Sequence, residues 1–181
     1  MIAIRRARLA DASGIAAVHV ATWRSAYADI LPEDVLTGLS TTRLAHYYEH
    51  CIRLGLCVHV AASYGRNGEP PVLGFCSASR NRGSGEGPAL GDGEIETLYV
   101  LDDYQNRGLG CQLLRSSARH LWQIGCRSVY AWVLAENPSR YFYQRLGGKC
   151  TAQGTTAVGG ETFAQTAFAW DPIETLLDVN A

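Results

Sequence analysis

The sequence predicts a mixed α/β or α+β fold whose sheet contains both parallel and antiparallel strands. Three observations support this class. Segments with the two-residue alternation of strands are interspersed with segments of helical periodicity, so neither an all-α nor an all-β fold is indicated. The 181 residues are 47% hydrophobic, which is enough for a sizeable core. No repeat or linker divides the chain, so we expect one domain over 1–171 and a C-terminal tail at 172–181.

The N-terminal part is predicted to contain one strand and three helices. Residues 2–8 alternate between apolar and polar side chains, as in a strand. Asp11 is a candidate N-cap for the first helix, and Ser40 is a candidate N-cap for the third. The apolar stripe of the first helix would consist of Ile15, His19, Trp23, Ala26 and Ile30. The three helices are expected at 11–29, 32–38 and 40–55.

The C-terminal part is predicted to place its strands around a long amphipathic helix. The inward stripe of this helix would be formed by Leu109, Leu113, Leu114, Ala118 and Leu121. In the strand before it, the alternation predicts that Glu94, Glu96, Leu98 and Val100 share one face. We expect strands at 56–64, 71–79, 93–102, 127–134, 149–158 and 161–170, helices at 108–124 and 137–147, a turn at 65–70 and a Gly-rich loop at 80–92.

Composition and charge exclude several functional classes. A net charge of −1 provides no basic field for nucleic acid or anionic membranes. No apolar run reaches the ~18 residues of a membrane span, and no secretory signal is evident. The six cysteines lack CxxC spacing, and the His46/His50 pair beside Cys51 lacks a third metal ligand. We therefore expect a soluble, cytoplasmic protein with reduced thiols, without a metal and without a nucleic-acid or membrane partner.

The segment YQNRGLG, residues 104–110, carries the clearest chemical signal. It lies between a predicted strand and a predicted helix. A helix start offers unpaired backbone N–H groups and the positive end of the helix dipole, and glycines let an anion approach closely. Arg107 adds a charged donor. The pattern predicts a pyrophosphate site, with an ordinary glycine turn as the alternative.

The commonest nucleotide-binding loops do not fit this segment. A P-loop ends in GK[ST], which is absent here. The dinucleotide-binding fingerprint needs a third glycine at position 113, which is Leu. The flanking segments must therefore indicate which phosphate is bound.

Those flanking segments resemble the GNAT superfamily of acyl-CoA-dependent N-acetyltransferases. The family's central motif is a strand of LYV type, then (Q/R)-x-x-G-x-(G/A), then a helix; here it is LYVLDDYQNRGLGCQLL, with Gln105, Arg107, Gly108 and Gly110 matching. A second family motif is a buried strand, Asn, a short helix and FYxxxG, which here is WVLAENPSRYFYQRLGG. The resemblance covers roughly residues 2–170. It implies a central, mostly antiparallel sheet of six to seven strands flanked by helices, with one parallel pair that splays apart to hold the cofactor.

The resemblance implies acetyl-CoA as the acyl-donor cosubstrate. Its pantetheine arm would pair with the backbone of Leu98, Tyr99 and Val100, where an N–H group would also polarise the thioester carbonyl. Its pyrophosphate would bind backbone amides of the loop, and the second motif would supply further contacts. The residues so assigned are Gln105, Asn106, Arg107, Gly108, Leu109, Gly110 and Cys111 for the pyrophosphate, and Asn137, Ser139 and Arg140 for the arm or the phosphates.

The resemblance also implies three catalytic candidates. Only a neutral amine attacks a thioester, and an amine with a pKa near ~10.4 is almost entirely protonated at neutral pH, so a proton acceptor is needed. Glu94 and Glu96 are the candidates for this role, with solvated strand carboxylates as the alternative. Tyr143 matches the family tyrosine that protonates the leaving thiolate, with a core aromatic as the alternative.

The acceptor is expected to be a primary amine that attacks the thioester directly in a ternary complex. An acetyl-cysteine route through Cys111 is the less favoured path. Trp23 and Tyr27, four apart on a helix, are the candidates for acceptor binding, and core packing is the alternative. The other functions considered are a non-catalytic CoA-binding regulatory module and the transfer of a longer acyl group. A homodimer, common in the family, is also expected.

Overall fold

The computed structural model describes residues 1–64, 71–81 and 90–177. Within these residues the chain forms a seven-stranded sheet with the order β1-β2-β3-β4-β5-β7-β6. The strands are β1 Ile2–Arg6, β2 Cys57–Ser63, β3 Val72–Arg80, β4 Gly93–Val100, β5 Val129–Leu134, β6 Lys149–Val158 and β7 Glu161–Trp170. The helices are α1 Ala12–Ala26, α2 Glu33–Thr37, α3 Thr41–Arg53, α4 Leu109–Gln123, α5 Arg140–Arg145 and α6 Glu174–Leu177.

The sheet is mixed and mostly antiparallel, as predicted. Five neighbouring pairs in the described sheet run antiparallel, and β4 and β5 form the parallel pair. The crossover between these two strands contains α4, as a parallel connection requires. The predicted turn at 65–70, loop residues 82–89 and tail residues 178–181 lie outside the described residues.

Each face of the sheet carries its own hydrophobic cluster. On one face, α4 packs against β2, β3 and β4, and all five residues of its predicted stripe are buried. On the other face, α1 and α3 cover β2 and β3 through Ile15, Tyr48 and Phe75, each at most 1% exposed. Full burial of such a side chain stabilises the fold by about 1.5–3 kcal/mol, so the two clusters hold the helices on opposite faces.

A β-bulge in β4 changes which side of the sheet its side chains face, relative to the prediction. Ser77 pairs with Thr97 and Ala78 pairs with Ile95, so Glu96 is the extra residue. The inserted residue shifts the two-residue alternation, so Leu98 and Val100 face α4 whereas Glu94 faces the α1/α3 side with Tyr130. The prediction that all four even-numbered residues share a face is therefore wrong. Glu96 reaches the Ser77 hydroxyl, so the two carboxylates still share the α1/α3 side.

The first helix ends earlier than the sequence predicted. It stops at Ala26, and the Tyr27 carbonyl accepts from the N–H groups of Ile30 and Leu31. This tight turn buries Leu31, at 5% exposed, whereas Ala26 is exposed. Ala26 and Ile30 are therefore not members of a buried helical stripe, because the chain turns before the stripe is complete.

The start of the expected C-terminal tail packs onto the fold. Ile173 and Leu176 are fully buried in the cluster beneath α4. The Glu174 carboxylate accepts a hydrogen bond from Trp122 Nε1 at 3.0 Å. Residues 172–177 thus close the α4 face, and their apolar positions, spaced three apart, explain why they form α6.

Candidate active site

Strands β4 and β5 separate after a short parallel ladder. They pair at Gly93–Val129, Glu94–Tyr130 and Ile95–Ala131, and this pairing ends there. Beyond that point β5 continues to pair with β7 as far as Leu134. The bulge at Glu96 increases the twist of β4, so the side of Leu98–Val100 that faces β5 is open. The parallel pair therefore splays as expected, and it leaves backbone groups of one strand available for an added, strand-like ligand.

A groove of about 570 Å³ extends from this gap along the start of α4. Its floor is the backbone and side chains of 98–100, and its far end is the YQNRGLG loop. Its other wall is the segment before α5 together with α5 itself. The groove residues are Thr22, Leu98, Tyr99, Val100, Gln105, Asn106, Gly108, Gly110, Cys111, Pro138, Ser139, Phe142 and Arg145.

The YQNRGLG loop leads into α4, whose first backbone N–H groups have no partner within the helix. Gly108 adopts φ +77, a left-handed conformation that glycine accepts without strain, and the helix begins at the next residue. The Gln112 N–H donates to the Gly108 carbonyl, so the amides of 109–111 precede the first intrahelical bond. The Gln105 amide donates to the Val100 carbonyl at 3.1 Å and to Asp102 Oδ1 at 2.9 Å, which fixes the loop against β4.

The groove residues fit a pyrophosphate and a narrow chain. A Cβ atom added at Gly110 would lie 3.5 Å from Phe142 and 4.0 Å from Val100, so the glycine keeps a narrow space between α4 and α5. Arg145, on α5, supplies a cation in the wall. The α4 amides and this guanidinium are donors of the kind that bind anions, and the open edge of β4 leads from them to the strand gap.

A second, smaller cavity of about 50 Å³ lies where β4 and β5 diverge. It contacts both strands, the end of α1 and the segment before α5. Its polar members are Tyr27, Glu96, Thr97, Tyr99, Trp132, Asn137, Ser139 and Tyr143. Ser139, Leu98 and Tyr99 line both cavities, so the small cavity adjoins the groove at the splayed strands.

Tyr143 is packed into the wall of the small cavity. Its ring stacks on Phe168 at a centroid distance of 6.1 Å and meets Trp170 edge-on at 6.0 Å. The side chain is 8% exposed, and burial raises the pKa of its hydroxyl well above the usual value. The phenol is therefore protonated at neutral pH and can donate a proton or a hydrogen bond.

The two glutamates have different positions. Glu96 lines the small cavity and accepts a long hydrogen bond, 3.4 Å, from the Ser77 hydroxyl. Glu94 lines neither cavity, and its carboxylate accepts a 2.8 Å hydrogen bond from the Tyr130 hydroxyl. Burial raises the pKa of Glu94, the Tyr130 hydrogen bond opposes this, and the nearby charge of Glu96 adds to it.

The two aromatic residues predicted to bind the acceptor, Trp23 and Tyr27, have different surroundings in the structure. Tyr27 lines the small cavity, and burial raises the pKa of its hydroxyl, partly offset by hydrogen bonding with Asn137 and Tyr99. Trp23 lines neither cavity and packs against the rings of His19 and Tyr27, each at 5.3 Å. The geometry thus favours Tyr27 as a site residue and Trp23 as its packing support.

The other four predicted cofactor-binding residues, Arg107, Leu109, Asn137 and Arg140, do not line the groove. Arg107 stacks over the Tyr104 ring at 5.2 Å, and Leu109 is buried in the core. Arg140 donates to the Ala135 carbonyl and to the Tyr141 hydroxyl. Asn137 lines the small cavity, and its Oδ1 accepts from the Ser139 N–H at 2.8 Å in the segment just before α5.

Four groove residues were not predicted from the sequence: Thr22, Pro138, Phe142 and Arg145. Phe142 and Arg145 lie three apart on α5, so the helical period places them on one face. Applying that period to the FYQRLGG segment would have found both. Thr22 and Pro138 reach the groove through tertiary packing, for which the sequence carries no local signal.

Comparison with known proteins gives one consistent result. The profile of the Acetyltransferase (GNAT) family matches residues 20–148. YuaI, an uncharacterised N-acetyltransferase of Bacillus subtilis (strain 168), is 31% identical over 176 residues, which cover 97% of this chain and 96% of YuaI. The yncA protein of Salmonella typhimurium, solved with its cofactor acetyl-CoA, superposes with a TM-score of 0.69 at 23% identity, over 100% of this chain and 96% of that one. The PaiA N-acetyltransferase of Thermoplasma acidophilum, solved in complex with coenzyme A, superposes with a TM-score of 0.66 at 18% identity. The match covers 92% of this chain and 98% of that one.

The splayed strands, the loop at the start of α4 and the groove have the arrangement expected of an acyl-CoA-dependent acetyltransferase fold. The chain belongs to the GNAT family of acetyltransferases. Among the described residues, no helix is long and apolar enough to cross a bilayer.

Proposed function

We propose that this protein transfers the acetyl group of acetyl-CoA to a primary amine by direct attack within a ternary complex. The observation that carries the proposal is the junction of two cavities. The amide-lined groove adjoins the small cavity that contains Glu96 and Tyr143. The groove suits the donor, and the small cavity suits the reacting atoms.

The donor would bind mainly to the backbone. Amides of the YQNRGLG loop and the first turn of α4 would bind its pyrophosphate, with Arg145 as a charged neighbour. The open edge of β4 would hydrogen-bond the pantetheine arm. Acetyl-CoA supplies a thioester that an amine can attack, and a backbone N–H at Leu98–Val100 would stabilise the charge that develops on its carbonyl oxygen.

Glu96 would accept the proton of the amine. It lies in the small cavity beside the splayed strands, whereas Glu94 does not. An amine with a pKa near ~10.4 is mostly protonated at neutral pH, so its proton must leave before or during attack, and a carboxylate at this position can take it. Transfer can be direct or can pass through a water molecule.

Tyr143 would protonate the departing thiolate. Its hydroxyl is protonated at neutral pH because burial raises its pKa. Stacking against Phe168 and Trp170 fixes its ring relative to the cavity. The small cavity, about 50 Å³, favours an acetyl group over a longer acyl chain.

The proposal is tested by free-thiol release from acetyl-CoA with a panel of primary amines. The proposed reaction predicts one acetylated amine for each thiol released, with initial rates that depend on both substrates in a sequential pattern. Tight CoA binding with no release on any amine would identify a non-catalytic binding module. A ping-pong pattern with acetylated Cys111 would show the covalent route instead.

Assembly and location are part of the same proposal. β6 lies at an edge of the sheet, so a second copy can pair with it across a two-fold axis to form a homodimer. All six cysteines are free, which supports a reducing, cytoplasmic location. Light scattering at micromolar concentration would give twice the monomer mass, whereas the monomer mass would refute the dimer.

A further inference from the structure

A threonine of β4 lies next to the β-bulge, at the centre of a group of hydrogen bonds. Its Oγ1 atom, on Thr97, accepts a hydrogen bond from the Ser77 N–H at 3.3 Å and lies 2.7 Å from the Ser77 Oγ. The same hydroxyl hydrogen-bonds with the hydroxyl of Tyr48. A hydroxyl group has one donor and two acceptor positions, so these three contacts use its full capacity. The Thr97 side chain is therefore held in one orientation.

These hydrogen bonds continue from the sheet to both helices on the α1/α3 side. Tyr48 belongs to α3, and its Oη lies 2.7 Å from the Nδ1 of His19, which belongs to α1. Ser77, Tyr48 and His19 are each at most 9% exposed. Burial lowers the pKa of His19 to about 4, so its ring is neutral at pH 7. We call Thr97, Ser77, Tyr48 and His19 the Thr97 network.

Apolar burial requires an extra residue in β4, but it does not determine which residue this is. Ile95 and Leu98 both pack in the cluster beneath α4, although residues three apart in a regular strand face opposite sides. Insertion of either Glu96 or Thr97 would satisfy this burial. In the structure Thr97 pairs with Ser77, and Glu96 is the inserted residue. The Thr97 network explains this register, because it joins Thr97 to the residue opposite.

We propose that Thr97 is a positioning residue for acetyl-CoA, because its hydroxyl fixes the bulge at Glu96 and thereby the open edge of β4. The inference rests on the proposed function, in which this edge binds the pantetheine arm at 98–100. The parallel ladder with β5 ends at Ile95, so the bulge lies where the edge becomes open. A strand that alternated between two bulge positions would present the binding edge for part of the time, and its apparent affinity would fall by that fraction.

The Thr97 network also contacts the strand beyond the bulge. The His19 ring packs against the ring of Tyr99 at a centroid distance of 5.1 Å. Tyr99 lines both the groove and the small cavity. A buried polar network whose members are satisfied favours a single arrangement of the elements it joins. The network therefore supports β4 at the bulge and again within the segment that would bind the arm.

Thr97→Val tests this role, because valine keeps the branched shape and removes the hydroxyl. Calorimetric titration should show acetyl-CoA binding about five- to tenfold weaker, as expected for the loss of one or two hydrogen bonds. S-acetylpantetheine should lose affinity by the same factor. ADP, which carries a pyrophosphate without the pantetheine arm, should bind as it does to the wild-type protein. Thr97→Ser restores the hydroxyl and should bind acetyl-CoA within about twofold of wild type.

Thr151→Val is the matched control. Thr151 is the inserted residue of a bulge in β6, and its hydroxyl donates to the Ala167 carbonyl at 3.4 Å. It lines neither cavity, so this variant should bind all three ligands as the wild-type protein does. Tyr48→Phe removes a hydroxyl one step from Thr97 and should weaken acetyl-CoA about two- to threefold. It provides the same comparison of ligands if Thr97→Val does not fold.

Amide hydrogen exchange of the free protein adds a readout that does not depend on ligand. Exchange in Thr97→Val should become faster at 95–98 and stay unchanged in β6 and β7. Wild-type affinity for acetyl-CoA in Thr97→Val, or an equal loss of affinity for ADP, would overturn the proposal. Faster exchange throughout the sheet would also overturn it, because it would show a general loss of stability.

Thiol release from acetyl-CoA separates this inference from the proposed reaction. If the wild-type protein releases no thiol with any amine, but Thr97→Val loses affinity only for ligands with the arm, the reaction is refuted and the positioning role stands. If release is normal and Thr97→Val binds acetyl-CoA as wild type does, the positioning role is refuted and the reaction stands.

Discussion

We call the groove that would bind acetyl-CoA the donor groove and the small cavity with Glu96 and Tyr143 the reaction cavity, and the two are built in different ways. At the loop end of the groove, the structure offers backbone N–H groups at the start of α4, and the side chains of Arg107 and Leu109 point into other contacts. At the cavity, the structure offers side chains: Glu96, Tyr27 and Tyr143 come from three separate elements. One site depends on backbone conformation, and the other depends on which side chains meet.

This difference separates affinity from rate. Changes that block the loop should weaken acetyl-CoA binding, because no side chain elsewhere can replace the amides. Changes of single functional groups in the cavity should slow the reaction and leave the donor bound. Four predictions test this separation, from the largest expected effect to the smallest.

Gly110→Glu should weaken acetyl-CoA binding at least 100-fold. The added carboxylate would occupy the narrow space beside Phe142 and repel the pyrophosphate. Gly110→Ala is the matched control, because its Cβ would make ordinary 3.5 Å contacts, and its dissociation constant should stay within about threefold of wild type. Gly108→Glu should also abolish binding, but its left-handed φ adds strain of about 1–2 kcal/mol, so it is the less specific variant.

Isothermal titration calorimetry measures these affinities, with circular dichroism to check the fold. A folded Gly110→Glu variant that binds acetyl-CoA normally would show that the loop does not hold the pyrophosphate. Equal losses in the Ala and Glu variants would show that the glycine is needed for packing and not for the anion.

Glu96→Gln should lower kcat by about 100-fold at pH 7, within the range typical of general-base loss. Acetyl-CoA affinity should not change. The deficit should shrink toward pH 10, because the amine is then neutral without assistance. Steady-state rates across this pH range measure the effect, and a larger loss in Glu94→Gln with butylamine as acceptor would assign the base to Glu94 instead.

Tyr143→Phe should lower kcat for thioester consumption at least tenfold. The phenylalanine keeps the stacking on Phe168 and the edge contact with Trp170, so the variant should fold normally. Its acetyl-CoA dissociation constant should match wild type. Turnover at the wild-type rate would remove Tyr143 as the proton donor, and a weakened donor affinity would assign it to binding.

Arg145→Gln should weaken acetyl-CoA binding about three- to tenfold, the smallest of the four effects. A single guanidinium in an open groove adds a charge-assisted contact to a site already supplied with amides. The effect should fall with added salt. An unchanged affinity at low ionic strength would remove Arg145 from the phosphate site.

The donor groove was largely predictable from the sequence, because its signals are local. Gly108 and Gly110 stand at fixed spacing before an amphipathic helix, and every residue of the predicted α4 stripe is buried. The strand before the loop was also located within two residues. The backbone conformation of such a turn depends on the residues that form it, so a short sequence pattern is enough to predict the turn and the start of the helix.

The reaction cavity was less predictable, because its geometry arises between elements. The bulge at Glu96 places the two glutamates and Leu98 on opposite sides of the sheet, where a regular strand would place them on the same side. No residue type in GEIETLYV signals this bulge. The early end of α1 brought Tyr27 to Asn137, where a longer helix had been expected. Trp23, equally plausible in sequence, lies one turn earlier, lines neither cavity and packs on the rings of His19 and Tyr27.

The central claim is that backbone amides of the YQNRGLG loop bind the pyrophosphate of acetyl-CoA. Amide hydrogen exchange, with and without ligand, measures this directly. Saturating acetyl-CoA should slow exchange at 106–111 and at 98–100, whereas S-acetylpantetheine, which lacks the pyrophosphate, should slow exchange at 98–100 alone. Unchanged exchange at 106–111 in the acetyl-CoA complex, with protection elsewhere, would contradict the claim.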